Sequence, residues 1–292
     1  MERQLWKAIV AILADVDKGR SAARWVFDDA RIVEVLFWAV IHDRPIRWAC
    51  RAAHWPIDQR KRRLPSPTTM SRRLRTLRVR ALLEALDRRV LAPAPGGVFW
   101  MVDGKPLPIG GASQDRQAGY GRAASGKAKG YKVHALVDSQ GNVAAWRLAP
   151  MNKDERTMAK RLLRAAAIQG YLLADANYDS NPLHEFCAAG GELQLVTPRR
   201  YGKRHGLGHR RQSPSRLRSL ALLENPRPRF GTRLLKDRNM IERRFAQWTN
   251  WGGGLTCLPP WARTHRRVHR WVQAKLVLAT LKRHINQRTC VA

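Results

Sequence analysis

The sequence predicts an all-helical domain over residues 1–95 followed by a mixed α/β domain over 96–292. Three observations predict it. Helical periodicity runs to about residue 90 with no strand-like run. The stretch "APAPGG", residues 92–97, then breaks the pattern as a linker by composition. Beyond it, short apolar runs alternate with helical stretches, as in a sheet flanked by helices.

In the first domain, residues 2–17 and 28–42 have helical apolar spacing, and Asp28 and Asp29 open the second stretch as capping acids. "DRPIRWACRAAHWP" reads as a short helix starting at Pro45. In "SPTTMSRRLRTL", Ser66 suits an N-cap and Pro67 a first helical position. Met70, Leu74 and Leu77 fall at i, i+4 and i+7, as a buried stripe would. Thr68, Thr69, Ser71, Arg72 and Arg75 lie off that stripe. Short hydroxyls and arginines on a short helix suit base and phosphate contacts in a major groove, so Arg72 and Arg75 are candidate DNA contacts of a helix-turn-helix type reader. An ordinary amphipathic helix with a solvated basic face would look the same. A further helix spans about 80–90.

In the second domain, "VFWMVDGKPLPIG" is a continuous apolar run ending at Asp103, suited to a central strand buried on both faces. "YKVHALVD" (131–138), the turn "SQGN" and "VAAWRLAP" (143–150) read as a hairpin. A helix over about 153–168 carries Met158, Leu162 and Leu163. "YLLAD" is a strand ending at Asp175. Ser180–Pro182 opens a short helix to about 188, with Asp179 as its cap, and "LQLVTP" (193–198) is one more strand. Residues 199–236 hold ten Arg and two Lys against one Glu. Apart from a helical piece around Leu217–Leu223, they read as a mobile basic arm that orders on a polyanion. Arg199, Arg200, Arg210 and Arg211 in it are candidate phosphate contacts. The tail, about 267–288, is again helical and basic.

Charge points to the partner. Lys and Arg number 55 against 22 Asp and Glu, for a formal charge of +33 on 292 residues, and 44% of the residues are hydrophobic. A chain this apolar builds cores, and a charge this large selects a polyanion; duplex DNA fits better than a membrane. No run reaches the ~18–20 apolar residues of a membrane span. The N-terminus lacks the pattern of a signal peptide, so the expected location is the cytoplasm, on the nucleoid. The four cysteines form no CxxC pair, which argues against a structural zinc. His205 and His209 sit at i, i+4, but glycines in "HGLGH" break the helix that spacing would need.

Acids are scarce, so their placement matters. Asp103 and Asp175 both end apolar runs and can stand side by side if their strands are neighbours. In "KDRNMIERRFAQW", Ile241, Phe245 and Trp248 mark the buried side of a helix, Glu242 lies beside it, and Arg238 stands one turn earlier. Three converging carboxylates would make an oxygen-ligand site for hard divalent cations. Each acid also has a plain reading: a turn acid, a strand-end ion pair, a surface pair with Arg238. Asp138 competes for the first position, but it directly precedes the hairpin turn, where Asp commonly serves turn chemistry. Lys129, Lys132 and His134, along the second strand, are candidate DNA-backbone contacts.

The pieces "VDGKPLPIGG", "GYGRAASGKAKGYKVHALVD", "LADANYD" and "RNMIERRF", in this order over roughly 96–285, resemble the bacterial insertion-sequence DDE transposases. Asp175 and Tyr178 match that family's Asp-x-x-Tyr pattern, and Arg238 and Glu242 its Arg-x-x-x-Glu pattern. Leu235 and Thr249 stand where one branch has Tyr and Lys. The resemblance implies a ribonuclease H-like catalytic domain, with Asp103, Asp175 and Glu242 as catalytic acids and ligands of two Mg²⁺ ions, which Mn²⁺ could replace. It also implies Tyr178 and Arg238 near the DNA, cleavage at transposon ends, strand transfer into target DNA, and a homodimer on DNA. A ribonuclease H-like nuclease without strand transfer, and a degenerate copy that only binds DNA, are the alternatives.

Overall fold

The structure is a computed structural model. It describes residues 1–18, 25–91, 97–110, 113–124, 126–190, 192–201, 206–207, 211–224, 229–249 and 258–289. The helices are α1 (Glu2–Val16), α2 (Asp29–Ile41), α3 (Ile46–Ala49), α4 (Pro67–Arg73), α5 (Leu77–Val90), α6 (Glu155–Ala165), α7 (Asn181–Ala188), α8 (Pro214–Glu224), α9 (Phe230–Asp237), α10 (Asn239–Thr249) and α11 (His265–Thr289). The strands are β1 (Phe99–Pro108), β2 (Gly119–Ala123), β3 (Gly126–Asp138), β4 (Val143–Pro150), β5 (Gly170–Leu173) and β6 (Leu193–Val196). The chain forms two compact units, Met1–Ala92 with Trp248–Ala292, and Pro93–Gln247. Of the expected linker, residues 92–97, all but Gly97 lie outside the described residues, as do Arg210, His205 and His209.

The first unit is helical. Nearly every side chain of α2 is buried, because its sequence is apolar on all sides and α1, α5 and α11 pack against it. Asp28 caps it by accepting from the Arg31 amide at 2.6 Å. Asp29 is not a second cap. It is buried and binds Arg73 at 2.7 Å and Arg78 at 2.9 Å, joining α2 to α4 and α5. Trp38 stacks on Trp55 at 5.0 Å, and Trp6 meets both rings edge-on at 5.9 Å. Ser66 caps α4 as its sequence requires. The expected stripe holds for Met70 and Leu74, but Leu77 is 77% exposed. The helix ends at Arg73, and Thr76 recaps the chain into α5, which resets the helical phase. The basic tail forms α11. It belongs to this unit, whereas the sequence reading ran the second domain to residue 292. Lys275, 1% exposed, pairs with Asp43 at 2.6 Å, and Gln273 bonds Asp87 at 2.9 Å.

The second unit is a mixed sheet flanked by helices, a ribonuclease H-like domain as expected. β1 pairs antiparallel with β3 and parallel with β5, which pairs parallel with β6. β2 covers the first half of β3 and β4 its second half. Sequence reading overlooked β2 because its glycines and single exposed Tyr120 give no apolar alternation. β1 continues through Asp103 to Pro108 rather than ending there. α6 and α7 bury one sheet face through Ala159, Leu162, Leu183 and Cys187, which pack with Trp100, Val102, Leu136, Leu172 and Tyr178.

Residues 199–236 are only partly the loose arm expected. α8 packs on β6 and α7, and α9 packs on α8. Arg199 forms a two-point ion pair with Glu224, with 2.5 and 2.7 Å contacts. Arg216 grips Asp179 at 2.7 Å through both Nε and Nη2. Asp179 is therefore an anchor for α8; Ser180 occupies the α7 N-cap position. The single Glu of this basic segment neutralises Arg199, and Asp179, from outside it, neutralises Arg216.

Candidate active site

Alternation along β1 decides which side chains share a face. Gly104 faces His134 and Lys132 of β3; a Cβ there would stand 2.8 Å from Lys132 Cδ and 3.1 Å from His134 Nδ1. Asp103 and Lys105, on either side of it, turn to the opposite face. Asp103 is half-buried, and its Oδ1 accepts from the Gly104 amide at 2.7 Å. Asp175 follows β5, the parallel neighbour of β1, and ties its own loop through the Asn177 amide at 2.9 Å. The two expected acids thus come together, because their strands are adjacent.

Electrostatics shows how close the groups act. Burial pushes the Asp103 carboxyl up to about 7; Asp175 and Glu155 add to the rise, while the Gly104 amide and Arg238 oppose it. Burial also lowers the Lys105 ammonium, against the pull of Asp103. Arg238 donates to Glu242 at 2.8 Å, so Glu242, half-exposed on α10, is linked to the site through Arg238. α10 is also tied to the β3–β4 turn, where Arg244 Nη2 donates to the Gln140 carbonyl. Among the described residues, no three His, Cys, Asp or Glu side chains stand together closely enough to hold a metal ion. Asp103 and Asp175 thus act on one another, whereas Glu242 is connected to them only through Arg238, which bonds Glu242 and acts on Asp103.

The competing acid, Asp138, does turn chemistry. It is buried and accepts from the Gln140 amide at 2.9 Å, and from the Asn142 amide and side chain at 2.7 Å.

Several expected DNA contacts lie elsewhere. His134 and Tyr178 are fully buried and cannot touch a DNA backbone. Burial, together with Lys132, pushes His134 down to about 3, so it is a neutral core residue. Burial pushes the Tyr178 phenol up, helped by Asp103, Glu155 and Asp175. It packs in the core with Trp100, Val102 and Leu136. Lys132 pairs with Glu155 at 2.5 Å, and Lys129 donates to the Ser113 carbonyl at 3.2 Å. Arg199 is taken by Glu224. Arg72, Arg75, Arg200 and Arg211 are exposed. Two residues were missed. Lys105 was findable, since a strand places residue i+2 on the face of Asp103. Glu155 was not, because only the packing of α6 on the sheet brings its N-terminus near β1.

A metal would fit the donor set. Asp103 and Asp175 offer oxygen alone, repel one another in a half-buried place, and would be relieved by a hard cation. Among the described residues, no helix is long and apolar enough to cross a membrane. No curated protein matches the chain. The family model described as "Transposase DDE domain" matches residues 95–281, more than half of the chain, and covers β1, β5 and α10 together. With that match spanning more than half of its length, the chain belongs to the DDE-domain transposases.

Proposed function

We propose that this protein cuts DNA at transposon ends and joins the freed ends to target DNA, with Asp103, Asp175 and Glu242 as its catalytic acids. The observation that carries the reading is the meeting of Asp103 and Asp175 at adjacent strands in a chain of charge +33. Buried acid is costly, and a basic protein that keeps two facing carboxylates has a cation to hold there.

The residues divide the work. Asp103 and Asp175, with Glu242 released from Arg238, would hold two Mg²⁺ ions, for which Mn²⁺ can substitute. When bound, such ions lower the pKa of an attacking oxygen and stabilise the leaving one. Arg238, which bonds Glu242 in the free protein and acts on Asp103, turns to an incoming phosphate once Glu242 is released. Lys105, on the face of Asp103 and without an ion-pair partner among the described residues, neutralises a non-bridging phosphate oxygen. In the first step a water oxygen bonds to phosphorus and the P–O3′ bond breaks, freeing a 3′-hydroxyl. In the second, that hydroxyl attacks a target phosphodiester and displaces its 3′ oxygen. Holding two ends calls for two copies of the chain on DNA. α4, with Arg72 exposed, reads the end sequence. Arg200 and Arg211 contact the backbone.

Asp103→Asn, Asp175→Asn and Glu242→Gln test this. Each amide keeps the shape and removes the charge that holds an ion. Expected is loss of Mg²⁺-dependent cleavage of end DNA, with binding of the same duplex retained. Substantial cleavage by any one variant removes that residue from the site. A wild type that cuts but never joins ends to a target plasmid reduces the activity to a nuclease.

A further inference from the structure

The first unit matches most of its buried cations with acids. Arg73 and Arg78 share Asp29, Arg31 has Glu34 at 2.7 Å, and Lys275 has Asp43. One group of arginines is treated differently. Arg266 and Arg267 lie exposed in the first turn of α11, and Arg270, half-buried, follows at i+4 and i+3, so the three form one stripe. α11 packs on α5, whose first turn carries exposed Arg80, and exposed Arg75 lies just before that turn. Four of them act on the fifth. Burial pushes the Arg270 guanidinium down to about 10, and the charges of Arg266, Arg80, Arg75 and Arg267 push it the same way. Among the described residues no carboxylate pairs with any of the five, and the buried Arg270 Nη2 has no hydrogen-bond partner.

Five guanidiniums held together without an acid destabilise the free protein. An anion with regularly spaced charges removes that repulsion. Planar forks that accept two oxygens at once suit phosphates better than isolated carboxylates.

We propose that Arg75, Arg80, Arg266, Arg267 and Arg270 form one phosphate-binding platform for duplex DNA, assembled from the α4–α5 region and the start of α11. DNA binding is then discontinuous in sequence, requiring the C-terminal helix as well as the N-terminal ninety residues. The identity of the polyanion rests on the proposed function; the platform itself rests on the cluster.

The test is binding of the full chain to a random-sequence duplex, followed by anisotropy across a salt titration. Arg266→Gln with Arg267→Gln is expected to weaken binding by roughly tenfold or more near 0.1 M salt and to lower the log–log salt slope by about two units. Arg75→Gln with Arg80→Gln should do the same. Arg88→Gln with Arg89→Gln, at the far end of α5, removes equal charge and should leave the slope near wild type. Arg270→Gln should raise the Tm while weakening binding, a pairing that a purely structural arginine would not give. An unchanged slope in the α11 double variant, or an equal loss in the Arg88/Arg89 control, overturns the platform and leaves the active-site reading intact. A wild type that binds no duplex overturns both.

Discussion

Asp179 offers the sharpest test of how the second unit is held together. Its side chain is 1% exposed and accepts from Arg216 Nε and Nη2 at 2.7 Å each and from the Arg200 amide at 3.1 Å; the His184 ring stands 3.5 Å away. Burial alone would raise this carboxyl. Arg216, His184 and the Arg200 amide outweigh it and hold the group well below the usual carboxylate range. Asp179→Asn keeps the volume but turns an NH₂ toward a guanidinium that has lost its counter-charge. Removing one partner of a buried pair costs about 3–5 kcal/mol. Arg216 keeps Gln212 and some access to water, so the lower end, about 3 kcal/mol, is expected. In urea, with a slope of about 2 kcal/mol/M, the midpoint of this unit should fall by about 1.5 M. The pH dependence has a definite sign. A depressed folded-state pKa contributes stability that is complete above the unfolded value of about 4 and is lost as pH falls toward the folded value. The gap between variant and wild type should therefore be full at pH 7 and narrow below about pH 4. Adding Arg216→Leu to Asp179→Asn should recover part of the loss, because the stranded charge goes with it. A midpoint shift under about 0.3 M, or one equally large in acid, would refute the reasoning.

Two further outcomes are expected. Lys105→Gln should slow single-turnover cleavage by about tenfold or more while leaving duplex affinity within about twofold, if the lysine meets the reacting phosphate as proposed; equal losses in rate and binding would place it among ordinary backbone contacts. Arg72→Ala should weaken binding to transposon-end DNA by ~1–3 kcal/mol and shrink the preference over random DNA, measured by competition; an equal loss on both DNAs would mean a phosphate contact, and no loss on either would end the case for α4 as the reading helix.

What the sequence made legible follows from the range of the forces involved. Caps and runs are local, so Ser66, Asp28, the hairpin at 131–150 and the strand carrying Asp175 could be read directly. The pairing of Asp103 with Asp175 needed one further assumption, that their strands are neighbours, and β1 and β5 satisfy it. Ion-pair partners were another matter. Asp29 and Asp179 each look like a helix-opening acid, yet each is buried against arginines more than thirty residues away in the chain. Nothing local distinguishes an acid that caps from one that receives a distant guanidinium. The same blindness made residues 199–236 look looser than they are. Counted alone, the segment repels itself; in the fold, Asp179 neutralises Arg216, and Glu224 closes back on Arg199. With those two anchors in place, α8 should resist protease in the free protein.

The few acids of this chain thus have two uses that compete for the same arginines. Asp29, Glu34, Asp179 and Glu224 fix helices by consuming a guanidinium each or sharing two. Asp103 and Asp175 consume none among the described residues: Arg238 acts on Asp103 from a distance while bonding Glu242 instead. That division would keep the proposed catalytic acids available to a cation in a protein with more than twice as many basic as acidic side chains. Were Arg238 to bond Asp103 directly, its charge would occupy the place proposed for a metal. Held by Glu242, it acts on Asp103 only from a distance, and the bonds that Asp103 and Asp175 accept come from the neutral groups of Gly104 and Asn177.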